Sequence, residues 1–212
     1  MNTLLRIVAW VAVIGGALCA IVYYAYADVW TVPIDDPRLL VSIEPTLRGG
    51  DLLLVARHGL PALGDLVRCP DPDEPRRWVV GRLVGVSGSD FTIRNQDFMI
   101  PDSRETSDSG CTNQKLVNPA TGDEVPLVCR NREFAGREYE TLSKPDSDLS
   151  GEGPAVHKVP LGKIFLMSDD RYLHQDSRDY GSVTQASCQH ILFRLWGSSG
   201  FTDGSRRFNI IW

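Results

Sequence analysis

The chain has 212 residues and a mass of 23.5 kDa, which allows one domain with an insertion and a short appendage. Its 42% hydrophobic and 23% charged residues exclude a disordered chain and a protein with many membrane spans. A formal net charge of −5 and a pI near 5.4 argue against a nucleic-acid partner, because a polyanion binds to a basic surface. The histidines are scattered and no Cys-x-x-Cys pair occurs, so we expect neither a metal nor another cofactor.

Residues 7–27 form an apolar run without a charged side chain. As a helix this run would be roughly 31 Å long, which matches the hydrocarbon core of one bilayer. Arg6 precedes it and Asp28 follows it, which favours a cytoplasmic N-terminus. We therefore predict a single transmembrane helix within residues 1–27, anchored in the plasma (inner) membrane. The alternative is a cleaved signal peptide, because Ala25-Tyr26-Ala27 has the Ala-x-Ala form of a cleavage site.

The predicted topology places residues 28–212 outside the cytoplasm, where disulfides persist. Four cysteines follow the predicted anchor and allow three complete pairings. We predict a bridge between Cys111 and Cys129, because these two flank one loop-rich stretch. The alternative is that all four are reduced and act as small buried hydrophobes.

Short β-rich runs separated by turn residues dominate the chain after residue 28. The runs that predict strands are 52–56, 78–86, 91–94, 163–167 and 191–196. Residues 95–160 are richer in Asp, Ser, Gly, Pro and Glu, with apolar segments at 125–128 and around 134–142. No long amphipathic helical pattern follows residue 28. The sequence thus predicts a mainly β protein whose core, residues 28–94 and 161–212, pairs around an inserted lobe at 95–160.

Two segments carry side chains suited to hydrolysis. Ser42 lies just beyond the predicted anchor and before a turn and a strand, although a serine at such a place is usually a turn former. Residues 168–181 place acids, arginines and His174 in one loop after the strand at 163–167. The alternative for this loop is an ion-pair network that fixes a turn.

Together these segments resemble the bacterial signal peptidase I family, membrane-anchored serine endopeptidases that remove signal peptides from exported proteins. The matching boxes occur in the family's order: Ser42-Ile43-Glu44-Pro45-Thr46-Leu47 with Gly50-Asp51, Gly64-Asp65-Leu66-Val67, Gly81-Arg82-Leu83-Val84-Gly85-Val86-Ser87-Gly88, Val159-Pro160-Leu161-Gly162, Phe165-Leu166-Met167-Ser168-Asp169-Asp170-Arg171, Asp176-Ser177-Arg178 with Gly181, and Phe193-Arg194-Leu195-Trp196. The resemblance implies an antiparallel β core with an inserted β lobe. It also implies Ser42 as the nucleophile, and cleavage after small residues such as Ala at the first and third positions before the cut.

The chain departs from the family at its general base. The family uses a lysine there, and the matching position is Gly81. This matters because a serine hydroxyl is a poor nucleophile until a positioned base takes its proton. His174 stands where the family has a serine that contacts the lysine. We therefore predict that Ser42 attacks, His174 acts as the base, and Asp176 or Asp169 orients the imidazole.

Loss of catalysis, an untypical base and a base from a partner subunit stay open as alternatives. The predicted function is a signal-peptidase-I-like serine endopeptidase at the outer face of the plasma membrane, with exported precursors and the lipid bilayer as partners. The first rival is a catalytically inactive homologue that binds signal-peptide-like segments or a partner peptidase. The second is a structural membrane-anchored β protein without a peptide groove.

Overall fold

The computed structural model describes residues 3–94, 97–99, 104–106, 111–145 and 153–211. Its first element is a helix, α1, over Thr3–Tyr26, which includes most of the predicted anchor. Across the described residues, no helix combines the length and the apolar character needed to cross a membrane. The transmembrane span therefore stays a prediction.

Fifteen strands make up almost half of the remaining described chain. In chain order the elements are α1, β1 (Ala27–Thr31), α2 (Pro37–Ser42), β2 (Leu52–Ala56), β3 (Leu66–Pro70), β4 (Trp78–Gly85), β5 (Asp90–Arg94), β6 (Asp97–Met99), β7 (Arg104–Thr106), β8 (Gln114–Val117), β9 (Glu124–Phe134), β10 (Arg137–Ser143), β11 (Ala155–Lys158), β12 (Lys163–Met167), α3 (Ser177–Tyr180), β13 (Val183–Thr184), β14 (Gln189–Trp196) and β15 (Asn209–Ile210). The prediction of a mainly β protein is confirmed.

The largest sheet has eight strands in the order β1-β2-β14-β3-β4-β12-β13, with β15 on β14. Every pairing in it is antiparallel. Strand β14 pairs with β2 through Ile191–Trp196 and with β3 through Gln189 and His190, so the sheet curls at this strand. The sheet therefore joins strands from both ends of the sequence.

The middle of the chain forms two smaller antiparallel sheets. One contains β7, β8, β9 and β10, and the other contains β5, β6 and β11. The run around 134–142, predicted as one apolar segment, is divided by a hairpin turn. Ala135 and Gly136 have φ angles of 52° and 72° there, which reverse the chain between β9 and β10.

Two disulfides stabilise the β-sheet structure. The predicted bridge between Cys111 and Cys129 is confirmed. A second bridge, Cys69–Cys188, ties β3 to the residue before β14, and sequence analysis did not assign it. Both of its cysteines lie in a buried cluster with Val67, Leu83 and Leu166.

Candidate active site

Helix α2 holds Ser42 at its last position. Asp36 caps the helix by accepting a hydrogen bond from the Leu39 N–H at 3.2 Å, and Pro37 supplies a favourable first residue. Leu39 and Ile43 pack into the main core. Val41 faces a different cluster, which includes Leu127, Leu142 and Leu173. Ser42 thus lies between two apolar clusters.

The hydroxyl of Ser42 is enclosed by the protein. Its exposed fraction is 0%, and Oγ–H donates to the carbonyl oxygen of Leu39 at 2.9 Å. Its own carbonyl oxygen accepts from the Asp170 N–H at 3.2 Å. The backbone of Ser42 is therefore joined to the loop that follows β12, while its hydroxyl is turned into α2.

Asp169 is committed to a buried ion pair. Its carboxylate accepts from Arg82 of β4 through Nε at 3.0 Å and Nη2 at 2.8 Å, and from the Thr46 hydroxyl at 2.6 Å. Arg82 also stacks on the Tyr139 ring, with its Cζ 3.6 Å from the centroid. The structure therefore places Asp169 against arginine and threonine, where it anchors the loop to β4.

Asp176 is held in a similar way by Arg178. It is fully buried, caps α3, and accepts hydrogen bonds from the Ser168 N–H and the Arg178 guanidinium. Burial raises the pKa of Asp176, but the charge and hydrogen bonds of Arg178 outweigh this effect, so the pKa lies below its ordinary value. The carboxylate is thus charged and already paired.

The carboxylate that contacts His174 belongs to Asp179. Nδ1 of His174 lies 2.8 Å from Asp179 Oδ2 and 4.0 Å from Asp176 Oδ1. Asp179 also accepts from the Asp176 N–H, which completes a capping box at the start of α3. Sequence analysis missed Asp179. The Asp-x-x-Asp spacing of 176 and 179 is a signal for the capping box, but it does not indicate the contact with His174.

A cleft brings His174 near α2. It is lined by Arg38 and Val41, by residues 118–120 and 172–175, and by Asp71, Asp73, Asp179 and Tyr180. Ser42 is not one of its lining residues. His174 and Val41, the neighbour of Ser42, therefore line the same cleft, while the Ser42 hydroxyl is not exposed in it.

The same loop contains a set of atoms that could hold a metal ion. Ligand atoms of His174, Asp176 and Asp179 lie within 4.8 Å of one another. The guanidinium of Arg178 forms an ion pair with the Asp176 carboxylate, and its positive charge disfavours a bound cation there. This group therefore fits an ion-pair network better than a metal centre.

Asp170 differs from the other acids of the loop. It is fully buried, Oδ1 accepts from the Tyr172 and Leu173 N–H groups at 2.8 Å each, and Oδ2 has no hydrogen-bond partner. Burial raises the pKa of Asp170 to about 7, against the opposing effect of the two backbone hydrogen bonds. A carboxyl group in this environment keeps its proton at mildly acidic pH.

Gly81 lies in the middle of β4, opposite Val67 of β3. A Cβ atom at this position would lie 3.1 Å from Leu166 Cβ and 3.2 Å from the Met167 carbonyl oxygen. Strand β12 therefore approaches β4 closely at the position where the resemblance expects a lysine.

Comparison with known proteins identifies relatives over the whole site. Residues 7–194 match the family described as signal peptidase, peptidase S26. The signal peptidase I of Streptococcus pneumoniae serotype 4 is 24% identical over 163 residues, which cover 73% of this chain and 78% of that protein. The signal peptidase IB of Staphylococcus aureus is 24% identical over 166 residues, which cover 76% of each chain. The matched region contains Ser42, Gly81 and the loop with His174.

Proposed function

Because the chain belongs to the signal peptidase family, peptidase S26, we propose that it is a serine endopeptidase that removes signal peptides from exported precursors. The observation that carries the proposal is the family match across residues 7–194, which includes both predicted catalytic segments. The relatives named signal peptidase I and IB support the same reaction class.

The proposed mechanism uses Ser42 as the nucleophile and His174 as the general base. Asp179, at hydrogen-bond distance from Nδ1, would hold the proton there and leave the lone pair on Nε2. Nε2 would take the Ser42 proton as Oγ attacks the scissile carbonyl, and would return it to the leaving amine. Asp169 and Asp176 would hold the loop through Arg82 and Arg178. The Ser42 hydroxyl must leave Leu39 before it can attack.

We further propose that the amino-terminal helix anchors the protein in the plasma membrane, with the β domain at its outer face. The apolar run at 7–27 and the charge difference between its ends support this topology. Substrates would then be exported precursors with small residues, such as Ala, at the first and third positions before the cut.

Cleavage of a precursor with an Ala-x-Ala site tests the mechanism. The full chain, Ser42→Ala and His174→Ala would be compared between pH 5 and 10, with His58→Ala as a matched histidine control outside the site. We expect turnover by the wild type and by His58→Ala, and a loss of at least about 100-fold in the other two variants. The wild-type rate should fall at the acid end of this range, because a protonated imidazole cannot take the Ser42 proton. Wild-type turnover no greater than that of Ser42→Ala would refute the proposal.

A second candidate function is a homologue that binds signal-peptide-like segments or a partner peptidase without cleaving them. It is favoured by Gly81 at the position of the family's lysine and by the enclosed hydroxyl of Ser42. The two candidates differ in one measurement. A pure binding protein would bind a signal peptide equally well in wild type and Ser42→Ala, and would release no product from either.

A further inference from the structure

The hydroxyl of Ser42 is kept from solvent by the helical conformation of α2. Ser42 Oγ donates to Leu39 O within the helix, and the Ile43 N–H donates to the same carbonyl oxygen at 3.2 Å. Residue 42 is 0% exposed. The hydrogen bond to Leu39 holds Oγ inside α2, so the hydroxyl must leave that carbonyl before a substrate can reach it.

Asp36 stabilises α2 with both of its carboxylate oxygens. Oδ1 accepts from the Leu39 N–H, which caps the helix. Oδ2 accepts from Arg77 Nε at 3.2 Å and Nη2 at 2.6 Å, at the start of β4. These two hydrogen bonds connect the beginning of α2 to the start of β4, although Asp36 and Arg77 are 41 residues apart in the sequence. The cap and the ion pair therefore share one side chain.

We infer that the Asp36–Arg77 ion pair is a latch that holds α2 closed over Ser42, so that the protein rests in an autoinhibited conformation. Opening the latch releases the first turn of α2 from β4 and frees the Leu39 carbonyl from the Ser42 hydroxyl. The Arg77 side chain is 36% exposed, so water and salt can compete for the ion pair, whereas the Arg82–Asp169 pair is almost fully buried. The latch can therefore open while the loop around Asp169 stays in place.

The effect of the latch on catalysis rests on the proposed function, but the enclosure of Ser42 can be measured without turnover. The test uses Ser42→Cys in a Cys19→Ala background, because the other four cysteines are in disulfides and the introduced thiol is then the sole free one. The rate of maleimide labelling reports how often the helix opens. Arg77→Ala and Asp36→Asn each remove the ion pair, and Asn preserves the helix cap. Arg76→Ala is the matched control, because Arg76 is exposed and lines a surface cleft together with Asp36 and Arg77.

We expect labelling to be about three- to tenfold faster with Arg77→Ala or Asp36→Asn, the range for removal of a partly exposed ion pair with charge-assisted hydrogen bonds. Arg76→Ala should change the rate less than about twofold. Added salt should speed labelling of the Ser42→Cys protein and have little effect once Arg77 is replaced. Equal rates in the Arg77→Ala and Arg76→Ala proteins would overturn the inference.

A second measurement keeps Ser42 unchanged, in case the cysteine variant does not fold. Hydrogen exchange at the Leu40 and Ile43 amides reports two backbone hydrogen bonds at the ends of α2. These amides should exchange faster in Arg77→Ala than in Arg76→Ala by the same factor as the thiol labelling, and equal exchange would overturn the latch. If exchange rises but no variant cleaves a precursor, the latch stands and the proposed function fails.

Discussion

The unpaired carboxylate oxygen of Asp170 gives the loop behind Ser42 a dependence on pH. The pKa of Asp170 is about 7 in the folded protein, whereas an unfolded aspartate titrates near its model value of 3.8. Between pH 3.8 and about pH 7, the Asp170 carboxyl group is deprotonated in the unfolded chain and protonated in the folded chain. The contribution of Asp170 to stability is therefore fully present below pH 3.8, falls as the pH rises, and is lost above about pH 7.

Asp170→Asn should remove the loss of stability at high pH, because the amide of asparagine has a shape similar to that of the carboxyl group and carries no charge. We expect the variant to be more stable than wild type at pH 8, by on the order of 4 kcal/mol. The stability advantage of the variant over wild type should be smaller at pH 5. Denaturant unfolding at the two pH values measures it, with the exposed Asp123→Asn as the control for loss of a carboxylate. An equal advantage at both pH values would contradict the assigned pKa.

The sequence indicates most residues of the candidate site, but it does not indicate which acid contacts His174. Ser42, Asp169, His174 and Asp176 were all singled out from motifs, and the structure places the last three in one loop. The acid that contacts His174 is decided by competing ion pairs, since Arg82 pairs with Asp169 and Arg178 pairs with Asp176. Sequence order does not reveal that competition, so Asp179 was missed.

Strands β4 and β12 approach each other closely at Gly81. Gly81→Ala would place a Cβ atom 3.1 Å from Leu166 Cβ and force the two strands apart by a few tenths of an ångström. We expect a loss of about 1–2 kcal/mol in the free energy of unfolding, as for other overpacked cores. A lysine at position 81 would meet the same backbone, so it would not simply restore the family's base.

Gly204→Ala is the control for this effect, since a Cβ atom there meets no atom within 4 Å. Its free energy of unfolding should stay within about 0.5 kcal/mol of the wild-type value. Chemical denaturation of both variants measures the contrast. Equal stabilities for the two would show that β12 moves aside without cost.

The strands that could be predicted are those whose ends carry turn residues. The predicted runs at 52–56 and 163–167 have the same bounds as β2 and β12. The run at 134–142 was not divided correctly, because its turn uses Ala135, an uncommon residue at a positive φ. Helix α2 is too short for its periodicity to be recognised, although Asp36 and Pro37 form a start signal.

For the whole molecule, the two disulfides close loops of very different length. Cys69 and Cys188 are 119 residues apart, whereas Cys111 and Cys129 are 18 residues apart. Loop-closure entropy predicts that removing the longer bridge costs about 1.7 kcal/mol more. The measurement compares the double variants Cys69→Ala/Cys188→Ala and Cys111→Ala/Cys129→Ala by denaturant unfolding. A larger loss from the shorter bridge would mean that loop length does not set the order.

The Cys69–Cys188 bridge also joins the two halves of the main sheet on either side of the inserted lobe. Strand β3 belongs to the first half and β14 to the second, and β14 pairs with both β2 and β3. A single protease cut at any bond between positions 69 and 188 would therefore leave two fragments covalently joined. They would migrate as one species on a non-reducing gel and as two after reduction. A cut within residues 111–145 would in this way leave the strands of the main sheet linked to each other.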